Sequence, residues 1–136
     1  MNITESDESN YFAYSATLRI LGENLDFERI TKGIGVRPTE TVHKGEKRGT
    51  RPILHDLWMF SPDVSEERPL SEHIDTLWIQ IQPAQEYLLS LKEEATVNVF
   101  LGYRSNCDHA GVEVPHSSLE MFVALKIPFG ISIIVT

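Results

Sequence analysis

The chain has 136 residues, of which 41% are hydrophobic and 24% charged, and this predicts one ordinary globular domain with a core that needs no disulfides. Its single cysteine excludes an internal disulfide. The lack of a long apolar run and of a signal-like N-terminus excludes a membrane span and a secretory signal, so we expect a soluble, cytoplasmic protein. The net charge of −8 would repel phosphate backbones and anionic membranes, so we expect no nucleic acid and no membrane among its partners.

The first predicted strand follows a polar, acidic stretch. Residues 1–10 are predicted to form a disordered tail, and residues 11–136 a single α+β domain. From Phe12 onward, apolar residues recur at every second position, which indicates a half-buried strand. The face predicted to be buried consists of Phe12, Tyr14, Ala16, Leu18 and Ile20.

A short helix is predicted next. Asp26 is a suitable N-cap, and Leu25 before it can pack on Ile30 as a hydrophobic staple. A glycine, either Gly33 or Gly35, is expected to end the helix. The predicted buried stripe is Phe27, Ile30 and Ile34.

Two strands with a basic loop between them follow this helix. Residues 39–43 predict one strand, and residues 53–60 predict another that has Trp58 and Phe60 on the same face. The loop, residues 43–51, has a local charge of +3 but lacks the pattern of a phosphate-binding loop and the aromatic residues of a nucleic-acid site. We expect a solvated hairpin loop. It could instead dock on an acidic patch of a second copy and give a homodimer.

The longest helical pattern crosses Pro83. Apolar residues recur at helical spacing on both sides of this proline, so we expect one kinked helix or two abutting helices that start near Ser71. A strand over residues 77–82, where apolar residues also alternate, is the alternative. The predicted stripe is Ile74, Leu77, Trp78, Ile81, Ala84, Leu88 and Leu91.

The last third of the chain predicts two strands with a loop and a helix between them. Residues 96–103 alternate and predict a strand, and residues 104–116 predict a loop with a short extended piece at 112–114. Ser117 and Glu120 form a capping-box pattern. The helix that they start is predicted to face the core with Leu119, Phe122 and Val123.

The final strand, Phe129–Val135, alternates and is strongly apolar, so we expect it at the centre of the sheet rather than at an edge. Strand, loop, helix and strand occur in this order over residues 12–42 and again over 96–135. We therefore predict an α+β two-layer sandwich of ferredoxin-like character. It would have a mainly antiparallel sheet of about five or six strands and about three or four helices on one face.

Several short motifs follow one another in a recognisable order. They include Leu25-Asp26, the run IGVRPT over residues 34–39, Gly45-Glu46, Gly102-Tyr103 and the closing FGISIIV. In this order they resemble the bacterial family called domain of unknown function 4279, over about residues 12–136. The resemblance implies no established activity, cofactor or catalytic residue to transfer to this chain. It suggests an immunity-like role against a toxin for some members.

The nearest approach to a metal or nucleophile cluster is Cys107, Asp108, His109 and His116. One cysteine at this spacing matches no zinc ligand set, and no third group orients a Cys–His pair, so we expect a polar surface loop. We therefore predict no catalytic residue, no metal and no cofactor. His55 and Asp56 are adjacent on a strand and point to opposite faces, so they cannot act as a dyad.

Four residues remain as candidates for binding. They are Arg48 in the basic loop, Trp58 and His73 on apolar elements, and Arg104 after a strand. We expect His73 to be a partly buried histidine that bonds a backbone carbonyl, in preference to a general base. Trp58 is expected to pack in the domain, but it would mark a binding surface if it were exposed beside the basic loop.

The charge distribution favours a non-enzymatic protein-binding or immunity-like module. Residues 52–136 carry the whole of the net −8, and such an acidic surface attracts a basic protein. The residues predicted to steer this partner are Glu66, Glu67, Glu72, Asp75, Glu93 and Glu94.

The alternative is a small-molecule-binding protein or small enzyme with a pocket between sheet and helices, near His73, Trp58 and Arg104. A convergent pocket of polar groups with shifted pKa values would favour this alternative. A flat or convex acidic face would favour the protein-binding module.

Overall fold

A computed structural model describes residues 10–107 and 111–136. Except for Asn10, the predicted tail lies outside these residues. The strands are β1 Phe12–Gly22, β2 Glu40–Val42, β3 Lys47–Arg48, β4 Arg51–Pro52, β5 Asp56–Phe60, β6 Thr96–Ser105 and β7 Phe129–Val135. The helices are α1 Phe27–Ile34, α2 Leu70–Ile81, α3 Gln85–Leu91 and α4 Glu120–Leu125, with single 3-10 turns at Gln82–Ala84 and His116–Leu119. None of these helices has the length and apolar character that a membrane span requires.

Five of the strands form one sheet in the order β2-β5-β1-β6-β7. All neighbours are antiparallel except β6 and β7, which are parallel. The helices pack on one face of this sheet around a single core, so the predicted α+β class and two layers are confirmed. The ferredoxin-like strand arrangement is not confirmed. The basic loop carries a separate small hairpin, β3 and β4.

The core lies between the helices and the even-numbered face of β1. Leu18 and Ile20 are fully buried there, as the alternating pattern predicts. Trp58 of β5 is also fully buried, and its indole Nε1 donates to Thr31 Oγ1 at 3.0 Å. This bond satisfies the polar end of a large core side chain and ties α1 to the sheet.

Helix α1 begins and ends where the sequence predicts. Asp26 is the N-cap, and its carboxylate accepts a hydrogen bond from the Arg29 N–H at 3.1 Å. Gly35 follows the helix with φ 86°, a left-handed conformation that suits glycine, and its N–H donates to the Thr31 carbonyl at 2.8 Å. Each end of this helix thus has a capping hydrogen bond from within the chain.

The helical region around Pro83 consists of two helices, α2 and α3, that abut through a 3-10 turn. This confirms the predicted interruption, because proline cannot donate the hydrogen bond that would continue α2. The alternative of a strand over residues 77–82 is wrong. Ile79, which that strand would have buried, is 69% exposed on α2.

The predicted start of the last helix is wrong. Residues 111–115 contain no strand, and neither the 3-10 turn nor α4 has a side-chain N-cap bond, so the capping box does not form. The 3-10 turn rotates the side chains that follow it, because it has fewer residues per turn than an α-helix. Val123 is therefore 74% exposed, while Met121 and Leu125 are buried.

The loop after α4 is fixed by a lysine from α3's C-terminal end. Lys126 has a left-handed backbone with φ 55°. Lys92 Nζ donates to the Leu125 carbonyl at 3.1 Å and to the Lys126 carbonyl at 2.8 Å. A cation thereby satisfies carbonyl groups that the end of α4 leaves without helical partners.

β7 lies at an edge of the sheet, so the predicted central position is wrong. One side of β6 is occupied by β1, and β7 takes the other side, with no described strand beyond it. Apolar alternation reports a preference for burial and does not report strand order. Several large apolar side chains of β7 are consequently exposed.

The start of β1 and the end of β7 meet at one corner of the sheet. Tyr11 Oη lies 2.6 Å from Thr136 Oγ1, and the Thr136 N–H donates to the Ser105 carbonyl at 2.9 Å. Ser105 Oγ also donates to the Tyr11 carbonyl at 2.8 Å. Three strands are therefore held together at this corner.

Candidate functional site

The sheet face away from the helices carries polar and cationic side chains. In the register of β1 with β6, Thr17 lies opposite Phe100, and Arg19 lies opposite Asn98. The Arg19 guanidinium lies 3.8 Å from the centre of the Phe100 ring, and its Nε donates to Asn98 Oδ1 at 3.1 Å. These contacts hold Arg19 along the sheet, and no helix of the described residues packs on this face.

A cleft opens where β5 stops pairing with β1. The pairing covers β1 only from Leu18 to Gly22, and residues 61–66 then run beside the first half of β1. The Tyr14 N–H fixes this segment by donating to the Glu66 carbonyl at 2.8 Å. The cleft has a volume of about 490 Å³, which is within the usual range for ligand sites. Its lining includes Ser15, Thr17, Ser61, His73, Tyr103 and Arg104.

Two residues of this lining are almost fully buried and carry polar atoms without a partner. His73 is 2% exposed and Tyr103 is 7% exposed. Neither His73 Nε2 nor Tyr103 Oη has a hydrogen-bond partner among residues 10–107 and 111–136, and the third buried atom of this kind in these residues belongs to Ser118, which is not on the cleft lining. Buried polar atoms are nearly always hydrogen-bonded, so two unpaired ones beside one cleft call for an explanation.

The surroundings of His73 and Tyr14 shift the pKa values of these two residues. Burial lowers the pKa of His73, and this outweighs hydrogen bonding by the backbone of Arg68 and Ser65 and the nearby Glu72 carboxylate, which act in the opposite direction. Burial, together with the neighbouring Tyr103, raises the pKa of Tyr14. His73 is therefore a neutral imidazole at neutral pH. A neutral ring can offer its nitrogens as one donor and one acceptor.

Three aromatic rings support the cleft from the helix side of the sheet. The rings of Tyr14 and Tyr103 lie edge to face with centroids 5.7 Å apart, and Phe12 stacks on Tyr14 at 6.2 Å. Edge-to-face and offset pairs of this kind fix ring positions. The Tyr103 hydroxyl is thus held in place by packing, although no hydrogen bond orients it.

The rim of the cleft provides one cation and several hydroxyl groups. Arg104 has a half-exposed side chain, and its guanidinium lies 4.0 Å from Glu66 Oε1, at the outer limit of an ion pair. Thr17 Oγ1 and Ser61 Oγ lie 2.7 Å apart. Gly102 keeps the floor of the cleft low, since a Cβ there would lie 2.3 Å from Ser15 Oγ.

The structure brings together two of the four residues that the sequence singles out for binding. His73 and Arg104 both line the cleft. Trp58 does not, because its side chain is fully buried in the core, and the exposed position beside the basic loop that would mark a binding surface is not found. Arg48 lies on the small hairpin, outside the cleft, and forms an ion pair with Glu40 of β2.

Tyr14 and Tyr103 are missed by the sequence reasoning. Their alternation predicts strands correctly, but it treats both residues as ordinary buried positions. The sequence contains one signal that could have identified them: a tyrosine on the buried face of a strand needs a hydrogen-bond partner for its hydroxyl. That the two tyrosines face each other follows only from the register of β1 with β6, which a single sequence does not contain.

The described members of the other predicted clusters do not form a site with one another. Asp108 and His109 lie outside the described residues. Within residues 10–107 and 111–136, no group of three His, Cys, Asp or Glu side chains is placed to hold a metal ion. His55 and Asp56 serve different partners: His55 Nδ1 lies 3.1 Å from Glu23, while Asp56 accepts from the backbone N–H groups of Lys44 and Leu25.

Comparison with known proteins identifies the family. No curated protein and no solved structure matches the chain. The family model with the description "Domain of unknown function (DUF4279)" matches residues 12–136, from the first residue of β1 to the end of the chain. This range covers every strand and helix of the described structure, including those that line the cleft, and it confirms the resemblance seen in the sequence. The chain therefore belongs to the family of domain of unknown function DUF4279.

Proposed function

We propose that this protein binds a small polar molecule with an acidic group in the cleft beside β1. The observation that carries the proposal is that two residues of its lining, His73 and Tyr103, have buried polar atoms, Nε2 and Oη, without a hydrogen-bond partner among the described residues. A ligand with a hydroxyl, carbonyl or amide group would supply hydrogen bonds that these atoms lack in the described part of the chain. The alternative drawn from the sequence, a pocket near His73, Trp58 and Arg104, thus becomes the main proposal, but without Trp58, which is buried in the core.

The charge of the rim supports an acidic group on the ligand. Among the described residues, Arg104 is the only Lys or Arg on the cleft lining, and its contact with Glu66 is long. A planar guanidinium binds a carboxylate or phosphate through two parallel hydrogen bonds, which is stronger than a single contact at 4.0 Å. The ligand would therefore place its anion at the rim, against the Arg104 guanidinium.

The test is a thermal-shift screen of the purified chain with inorganic phosphate, small carboxylates, amino acids and nucleotides, followed by calorimetric titration of the compounds that bind. We expect binding to weaken by about ten- to a hundredfold in Arg104→Gln, since hydrogen bonds to a charged group are lost. Arg37→Gln, at an exposed position away from the cleft, is the matched control. A panel without any binder, or equal binding by both variants, would contradict the proposal.

Tyr103→Phe gives a second, independent readout. Because the Tyr103 hydroxyl has no partner among the described residues, its removal should leave the free energy of unfolding of the free protein unchanged or raise it. The same substitution should weaken ligand binding. A loss of stability in the free protein would show that the hydroxyl is already satisfied there, and a binding site would no longer be needed to explain it.

The second candidate function is binding of a basic protein by the acidic residues, and the net charge of −8 favours it. Some of these acidic residues already pair with basic residues of the same chain, which leaves less free negative charge for a basic partner. Glu72 accepts two hydrogen bonds from Arg68, at 2.9 and 3.0 Å, and Glu94 lies 3.9 Å from Arg29. A tagged pull-down at low and high salt distinguishes the two functions, since a basic partner would be released at high salt.

A further inference from the structure

The outer edge of β7 is a strand edge without any of the usual protection. Within the described residues it pairs only with β6, so backbone groups along its other side face outward. Exposed edges in natural proteins are normally shortened, charged, bulged or interrupted by proline. Residues 129–136 contain no charged residue and no proline. The opposite edge of the sheet, β2, has three residues and carries Glu40 in an ion pair with Arg48.

The side chains of this edge are apolar and exposed on both faces of the sheet. Those that point to the helix side are 45% exposed at Phe129, 43% at Ile131, 65% at Ile133 and 51% at Val135. On the other side, Ile134 is 51% exposed. A contiguous apolar strip of this kind on one strand is typical of an interaction surface.

We infer that this edge pairs with the same edge of a second copy, so that two sheets join into one through an antiparallel β7–β7 contact. A partner of this edge must supply a second strand edge for the backbone groups and an uncharged apolar strip for the side chains. The β7 strand of a second copy supplies both. Two molecules that each carry −8 repel one another, and β7 is a surface at which they can meet without bringing like charges together. This inference does not depend on the proposed ligand.

The sequence of β7 is self-complementary in such a pair. With a two-fold axis at Ser132, Ile131 lies opposite Ile133 of the second copy, and Phe129 lies opposite its Val135. Directly opposite residues in an antiparallel pair lie on the same face, so the apolar side chains meet one another. Gly130 lies opposite Ile134, which gives the large side chain room on the other face. A closed two-fold contact of this kind is the commonest form of oligomer.

The first experiment is sedimentation velocity of the full chain over a wide concentration range, with Ile133→Lys as the variant. We expect a dimer for the unchanged protein and at least about a hundredfold weaker association for the variant, since both copies lose an apolar contact and gain a charge. Ile79→Lys is the control, because Ile79 is 69% exposed but lies on α2. A monomer at all concentrations, or equal dimerisation of Ile133→Lys and Ile79→Lys, overturns the inference and leaves the edge to a strand of another protein.

A cross-link tests the register. In a Cys107→Ser background, Ser132→Cys should form an intermolecular disulfide under mild oxidation, because Cα atoms of opposite residues in an antiparallel pair lie at distances that a disulfide spans. Ser117→Cys, on the exposed 3-10 turn, should not. Equal cross-linking of the two would overturn the β7–β7 contact.

Salt dependence separates this dimer from one built by the basic loop. Added salt screens the repulsion between two acidic molecules, so a β7–β7 dimer should become tighter. Docking of residues 43–51 on an acidic patch would become weaker instead. A dimer that dissociates on addition of salt would therefore overturn the inference.

Discussion

At the scale of single residues, His73 shows how packing changes chemistry. The sequence predicts a structural role for His73, which lies beside an isoleucine on a helix. In the structure, His73 is buried on the side of α2 that faces the sheet. Burial makes the charged imidazolium costly, which is why its pKa falls. The same burial leaves Nε2 beside the cleft without a partner.

The lowered pKa gives a prediction for stability. Since the unfolded chain takes up the His73 proton more readily than the folded chain, folding stability should fall as the pH drops below the ordinary histidine pKa of 6.5. The contribution of the neutral His73 to folding stability is complete above pH 6.5. It is lost as the pH falls from 6.5 to the lower pKa that His73 has in the folded state. Its slope is at most about 1.4 kcal/mol per pH unit.

Chemical denaturation between about pH 7.5 and pH 5.5 measures this slope. His73→Gln should flatten it, whereas His116→Gln, at an exposed position, should not. The carboxylates with lowered pKa values, such as Asp56 and Glu72, lose their contribution only at lower pH. An unchanged slope in His73→Gln would contradict the assigned shift.

At the scale of elements, the two left-handed helix ends provide a matched pair. Gly35 after α1 and Lys126 after α4 have φ values of 86° and 55°. Glycine adopts this conformation without a steric cost, whereas for other residues it costs about 1 kcal/mol of folding free energy. Gly35→Ala should therefore lower the free energy of unfolding by about 1 kcal/mol, and Lys126→Gly should raise it by a few tenths to about 1 kcal/mol.

Thermal unfolding of both variants tests whether Gly35→Ala lowers the stability and Lys126→Gly raises it. Lys126→Ala is the control, because it removes the charge and keeps the Cβ atom, so it should not stabilise the protein. The Lys92 contacts involve the carbonyl groups of residues 125 and 126 and should persist in all of these variants. Destabilisation by Lys126→Gly would show that the lysine side chain makes a larger contribution than the backbone.

Elements with a strong local period could be predicted well from the sequence. The alternation in β1, the caps of α1 and the stripe across Pro83 are each encoded within a few neighbouring residues, and the structure confirms them. The exposure of Val123 could not be predicted, because one 3-10 turn shifts the phase of the short helix after it. The edge position of β7 depends on strand order, which is a long-range property.

At the scale of the whole molecule, the cleft depends on contacts between distant parts of the chain. His73 reaches it from α2, Arg104 from the end of β6, and Thr17 from β1. The sequence could name His73 and Arg104 as polar residues in notable positions. It could not predict their meeting, because that needs the register of β1 with β6 and the path of residues 61–66 together.

The corner at which Tyr11 bonds Thr136 has a consequence for how the chain can be cut and rejoined. Because these two residues are in contact, a short glycine–serine linker from Thr136 to Asn10 would close the backbone into a ring without distorting the sheet. New ends can then be placed between Gly49 and Thr50, in the exposed turn of the small hairpin.

This circular permutant should fold and unfold cooperatively, like the linear chain of residues 10–136. Circular dichroism and thermal unfolding compare the two. An unfolded permutant would mean that the β3–β4 hairpin must be continuous for the sheet to form. A folded one would show that the order in which the strands are joined along the chain is not what specifies this architecture.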